Sequence, residues 1–115
     1  MSDLFASAVL GHTLGDYLFQ NDWMAREKKC SDAVCLLHAV IWTFCVCAFG
    51  HIGLVGAVIL LAAHFAQDRW NFIPWYMRNV GQQHFLTGPC TPWSIIVVDN
   101  VFHVLTIWIV IRIGL

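Results

Sequence analysis

Charge is what this sequence has least of. Only 11% of its 115 residues are Asp, Glu, Lys or Arg, while 59% are hydrophobic. A soluble domain carries about 25% charged residues, and a water-soluble fold of this size has too little interior to hide so much apolar surface. The shortage excludes an ordinary aqueous domain and points to lipid as the solvent. Six Lys and Arg against seven Asp and Glu leave a net charge of −1. With no basic excess to neutralise phosphates, nucleic acid is not an expected partner.

Other features are missing too. The first apolar stretch has no basic n-region, and it contains His12 and Asp16, which the apolar part of a leader would exclude. It is therefore expected to be a retained helix and not a cleaved signal. The five cysteines (Cys30, Cys35, Cys45, Cys47, Cys90) are odd in number and lack metal-finger spacing, so they read as small packing residues. No Ser-His-Asp or Cys-His nucleophile constellation stands out.

What the chain does have is long apolar runs. They predict an all-α, integral membrane four-helix bundle forming a single transmembrane domain over residues 1–115, with helices at about 4–19, 33–49, 54–71 and 93–113. Gly50-His51-Ile52-Gly53 is expected to be a tight turn. The connection 21–32 holds Asp22, Arg26, Glu27, Lys28, Lys29 and Asp32, six of the thirteen charged residues. The connection 69–92 is rich in Trp and Tyr, which fits an interfacial segment between the third and fourth helices, with a helix across 72–86. Four spans put these two connections on one side, and together they contain five of the six Lys and Arg residues. The positive-inside rule then makes that side cytoplasmic and both termini periplasmic.

Against this background the buried charges matter. A central Asp in a membrane helix costs about 2.5–3.5 kcal/mol on insertion scales. Asp16, Asp68 and Asp99 all fall within predicted spans, and each has a histidine four residues away: His12, His64 and His103. An i,i+4 spacing puts both members on one helix face. The first and third helices read His-then-Asp, and the antiparallel fourth reads Asp-then-His, so every Asp sits nearer the cytoplasm. His38 enters the same layer about 8 Å into the second helix, at 1.5 Å per residue. A loose echo between 37–42 and 102–108 suggests two helical hairpins related by a pseudo-two-fold axis, with the site at their interface.

Imidazole and carboxylate are the ligands of Zn, Mn and Fe, and helix bundles build such sites from facing helices. His12, Asp16, His38, His64, Asp68, Asp99 and His103 are therefore the expected ligands of one or two divalent ions, with Asp16, Asp68 and Asp99 as the catalytic candidates, one of them a general base. A lone His or Asp in such a helix would read as interhelical glue; the convergence of seven is what favours metal. Gln20, one turn beyond Asp16 on the same face, reads equally as a residue that orients a ligand or touches substrate and as a cap or simple interface polarity. His84 is a candidate lid residue, and His51 lies in the opposite turn. Gly11 and Gly15, four apart, form a small-residue face for close approach of another helix.

The run from Gly11-His12-Thr13-Leu14-Gly15-Asp16 to Trp23-Met24-Ala25, with Leu36-Leu37-His38-Ala39, Ala63-His64, Asp68 and Val98-Asp99-Asn100, resembles a family of small bacterial and phage membrane proteins, domain of unknown function 3307. One departure is Asn100, where the family pattern has Gln; Asn100, like Gln20, is expected to lie just outside the ligands. The resemblance implies a multi-pass protein of the cell inner membrane. A looser similarity to membrane-bound metal-dependent hydrolases implies hydrolysis of a phosphoester or other substrate at the lipid interface of the cytoplasmic leaflet. The lipid bilayer is the expected partner, and a small bundle of this kind can form a homo-oligomer. Two rivals use the same residues: a proton or divalent-ion transporter or channel, and a non-enzymatic phage or bacterial membrane protein that binds a host partner.

Overall fold

A computed structural model describes residues 2–115, and among the described residues the chain is helical throughout, without strands. Helix α1 (Ser2–Thr13) runs into a single π-helical turn at Leu14–Leu18, closed by the Phe19 N–H bonding the Leu14 carbonyl at 2.9 Å. The expected first helix therefore changes pitch at the residue after Thr13. Helix α2 (Asp22–Glu27) follows, started by Asn21, whose side chain accepts from the Met24 N–H at 2.8 Å. Helix α3 (Asp32–Gly50) starts on Ser31, whose hydroxyl accepts from the Val34 N–H. It ends at His51, a left-handed residue with φ of 53°.

Helix α4 (Leu54–Arg69) returns, and the two short helices α5 (Phe72–Asn79) and α6 (Gln83–Thr87) cross to α7 (Trp93–Arg112). One helix over 72–86 was the expectation. The segment instead breaks at Gly81, whose φ of 85° is left-handed and cannot continue a helix. Apolar residues of this segment and α7 (Ile73, Met77, Leu86, Phe102) form a small core of their own.

The longer helices pack in a ring: α1 against α3 and α7, and α4 against α3 and α7. Every neighbouring pair is antiparallel, because consecutive long helices reverse direction. Helix α1 lies unusually close to α3. A methyl group on Gly11 would fall 2.5 Å from the Cys45 carbonyl oxygen, and one on Gly15 would fall 2.9 Å from the Trp42 Cα. The two glycines thus make room for backbone-to-backbone approach. At one end of the ring Ala8, Trp42, Val46, Leu60, Ile107 and Val110 form a continuous buried apolar layer. Two helices, α3 and α7, are long and apolar enough to cross a membrane; α1 and α4 are shorter.

Candidate metal centre

The polar side chains meet just beside that apolar layer. Helix period alone puts His12 with Asp16, His64 with Asp68, and Asp99 with His103, one turn apart on their own helices. Antiparallel packing then turns these faces inward, and His38 comes in from α3. His12, His38, His64, His103, Asp16 and Asp68 are all buried, while the Asp99 side chain keeps 26% of its surface exposed.

Three imidazoles present Nε2 to the carboxylates. His38 Nε2 lies 3.1 Å from both Asp16 Oδ1 and Asp68 Oδ2. His64 Nε2 lies 3.0 Å from Asp68 Oδ2 and 3.6 Å from Asp16 Oδ1. The two Nε2 atoms of His38 and His64 are themselves only 3.0 Å apart. His103 Nε2 is 3.1 Å from Asp99 Oδ2 and 3.5 Å from Asp68 Oδ1. The Nδ1 atoms of these three rings meet no protein partner among the described residues, and the His103 Nε2 approaches the carboxylates without making a hydrogen bond to them.

These separations suit a cation. Ligands at about 2.0–2.2 Å from one ion, at angles of about 90–110°, sit about 2.9–3.5 Å from one another. The donor atoms of Asp16, His38, His64 and Asp68 fall in or near that range, and all four residues are buried, so this group could hold a metal ion. Asp16, Asp99 and His103 form a second, overlapping group on the exposed side.

His12, expected among the ligands, is placed differently. The Trp42 indole N–H donates to His12 Nδ1 at 2.9 Å. An indole nitrogen only donates, so Nδ1 must be a lone pair and the ring proton must sit on Nε2. From there it donates to Asn100 Oδ1 at 2.7 Å. The 3.3 Å approach of Nδ1 to Asp16 Oδ2 is then packing and not a hydrogen bond. With both nitrogens engaged, His12 braces α1 against α3 and α7. Asn100 completes the brace by donating to the Tyr17 hydroxyl and to the Ile96 carbonyl.

Two participants were not singled out from the sequence. Trp42 stacks flat on His64, with centroids 4.0 Å apart, besides holding His12. Its position four residues after His38 put it on the same face, which was the available signal. Lys28, just after α2, reaches back so that Nζ donates to Asp68 Oδ2 at 2.9 Å. Burial works against its charge, but the Asp68 carboxylate outweighs this and holds the Lys28 pKa above the ordinary lysine value. Nothing in the local sequence marks Lys28, because the contact spans 40 residues.

The remaining candidates lie around the cluster. Gln20 donates to the Asp16 carbonyl at 3.2 Å. The Cys35 thiol donates to the Phe65 carbonyl, and all five cysteines are free. His84 is exposed on α6 with its ring beside Gly88, and His51 is in the turn between α3 and α4. A cavity of about 460 Å³ opens onto Asp68 and Asp99 between the α2 end of the chain, α4, α5 and α7.

No curated protein and no solved structure matches the chain. One family model does, and the match runs over residues 4–114, taking in every residue of the cluster; the chain belongs to the family described as "Protein of unknown function (DUF3307)".

Proposed function

We propose that this protein is a membrane-embedded four-helix bundle that binds one divalent ion, Zn, Mn or Fe, and hydrolyses a phosphoester at the cytoplasmic leaflet. The observation that carries this reading is the convergence of His38 Nε2 and His64 Nε2 with the Asp16 and Asp68 carboxylates, every imidazole–carboxylate and imidazole–imidazole separation lying between 3.0 and 3.6 Å. The ion count follows from charge. Asp16, Asp68 and Asp99 bring three negative charges into a low-dielectric layer, where an uncompensated charge is costly. One divalent ion together with the Lys28 ammonium cancels them.

The membrane setting is supported by the outside of the ring. Leu54 is 82% exposed and Phe44 74%, and Val55, Val58, Val101 and Leu105 also face outward. Such a surface is an aggregation hazard in water and ordinary in lipid. Trp23, Trp70, Trp75 and Trp93 lie exposed around the end that carries the cavity, as an aromatic belt would. The apolar layer from Ala8 to Val110 closes the opposite end, which favours a dead-end reaction site over a transport path.

A bound divalent ion supplies an activated water and a positive charge for a phosphoryl oxygen. Asp99 is the one cluster carboxylate that is both partly exposed and on the cavity, so it takes the proton of the attacking water. His103 Nε2 lies 3.1 Å from that carboxylate. The water oxygen bonds to phosphorus, the P–O bond to the alcohol breaks, and the departing alcohol oxygen takes up the proton that Asp99 accepted, which restores the Asp99 carboxylate. Asp16 and Asp68 remain ligands.

The test is elemental analysis of detergent-purified wild type beside His38→Ala and Asp68→Asn. About one equivalent of metal in the wild type, lost in both variants, is the expected result. Near-zero metal after mild purification, or metal undiminished in both variants, overturns the reading.

A further inference from the structure

Asp16 and Asp68 each turn their two carboxylate oxygens to different histidines. Asp16 Oδ1 and Asp68 Oδ2 are the atoms beside His38 and His64, at 3.0–3.6 Å. The other two oxygens, Asp68 Oδ1 and Asp16 Oδ2, approach His103 Nε2 at 3.5 and 4.0 Å. Asp99 Oδ2 joins them at 3.1 Å from the same nitrogen. The proposed centre at His38 and His64 therefore uses one oxygen of each carboxylate and leaves the other facing His103 on α7. Lys28 does not take it, because its ammonium bonds to Asp68 Oδ2.

His103 is the side chain that needs a partner. It is fully buried, and among the described residues neither of its ring nitrogens makes a hydrogen bond, although oxygens of three carboxylates lie within 4.0 Å of Nε2. Native proteins rarely leave a buried polar atom in that condition. A proton on Nε2 serves one oxygen at a time. A cation between them serves the nitrogen and all three oxygens at once.

The separations fit an octahedral ion. At about 2.1 Å from such a metal, neighbouring ligands stand about 3.0 Å apart and opposite ones about 4.2 Å. His103 Nε2 lies near the first value from Asp99 Oδ2 and Asp68 Oδ1, and near the second from Asp16 Oδ2. One donor atom each of Asp16, Asp99 and His103 also lies within 4.8 Å of the other two. One imidazole with three carboxylate oxygens is a harder donor set than the two imidazoles and two oxygens of the first centre. Oxygen-rich octahedral sites suit Mn and Mg, whereas imidazole-rich tetrahedral sites suit Zn.

We infer that the cluster takes a second divalent ion, a hard octahedral cation of the Mn or Mg class, held by His103 Nε2, Asp99 Oδ2, Asp68 Oδ1 and Asp16 Oδ2, with Asp16 and Asp68 bridging it to the first. An ion at coordination distance lies inside its ligand shell, so its donors need not face solvent. It enters past Asp99, whose side chain is 26% exposed and lines the cavity of about 460 Å³. Water from the cavity completes the octahedron. Paired ions of this kind stand about 3.5–4 Å apart, the spacing at which they hold the attacking and leaving oxygens of a phosphoester. Asp99 gives Oδ2 to the ion and keeps Oδ1 for the proton of the attacking water. The second ion adds two positive charges to a cluster that the first ion and Lys28 already neutralise, so it binds more weakly. Protein purified without added metal keeps the first ion alone, and the anionic phosphoester offsets the excess charge in the working state. The inference rests on the metal-centre reading, because both bridging carboxylates are ligands of the first ion.

The experiment uses the whole protein, purified in detergent from manganese-supplemented cells so that the first ion is manganese, then titrated with manganese alone. Bound metal is read by equilibrium dialysis, and the pairing of ions by electron paramagnetic resonance. Wild type is expected to rise from about one to about two equivalents, and coupling between neighbouring ions to replace the sharp hyperfine lines of the isolated one. Asp99→Asn and, separately, His103→Ala are expected to stop at about one equivalent with the uncoupled spectrum. Asp99 is partly exposed, so its variant guards against a folding failure at the buried His103. Wild type that saturates at one equivalent without coupling, or a coupled pair that survives in both variants, overturns the inference. If wild type holds one ion and His38→Ala holds none, the first centre stands and only the second ion falls. No bound metal in wild type at any point of the titration overturns the metal centre itself, and the second ion with it.

Discussion

Adding one methyl group to Gly11 separates helix propensity from packing. On an open helix surface Gly→Ala stabilises by about 1 kcal/mol. Here the new Cβ would lie 2.5 Å from the Cys45 carbonyl oxygen, 2.8 Å from its carbon and 2.9 Å from the Val46 Cα. All three are backbone atoms of α3, so no side chain can rotate away. Restoring ordinary contact at 3.4 Å requires α1 and α3 to separate by roughly an ångström. Overpacking of this kind costs about 1–3 kcal/mol, which exceeds the propensity gain. The displacement also has a chemical consequence. Gly11 precedes His12, and Asp16 follows on the same helix. Moving α1 outward by that amount takes Asp16 Oδ1 beyond its 3.1 Å separation from His38 Nε2 and weakens the proposed ion site. Gly11→Ala is therefore expected to unfold earlier than wild type in a denaturant titration of the detergent-solubilised protein and to retain less metal. A variant as stable as wild type or more so, with full metal content, would refute both the close packing and its role in placing Asp16.

Other outcomes follow from the same contacts. Trp42→Phe removes the indole N–H that donates to His12 Nδ1 and should cost about 1–3 kcal/mol of stability, read by unfolding; a neutral effect would mean the brace is absent. Lys28→Met and Asp68→Asn each strand a partner in a buried ion pair and should each cost about 3–5 kcal/mol, with the double variant losing clearly less than the two combined in a double-mutant cycle; strict additivity would show that the two groups do not interact. Asp99→Asn should abolish phosphoester hydrolysis by at least about a hundredfold while leaving the metal content of the wild type, because the first ligand group does not include it; loss of metal would make Asp99 a ligand instead.

The covalent repeat of the helix is short, and it accounts for what could be read without coordinates. Three His/Asp pairs at a separation of four must share a face on any helix, and a chain with so little charge has long apolar runs from which helices form. The match to the family likewise depends only on the order of residues. The glycine pair, four residues apart on α1, marked a face for close contact but not which helix would fill it.

What the sequence could not decide depends on how whole helices turn toward one another. His12 looked equivalent to His64 and His103, yet its distance to Trp42 in sequence is 30 residues and to Asn100 is 88. Those contacts consume both ring nitrogens and make it a brace. Lys28 was one charge among several in a connection until the return of the chain laid it on Asp68. The cavity needs walls from helices far apart in the chain, so no local pattern announces it. Side-chain period is set within one turn of one helix. The rotation and neighbour order of the helices are set by packing across the whole ring, and that packing chose which nitrogens remained available for a ligand.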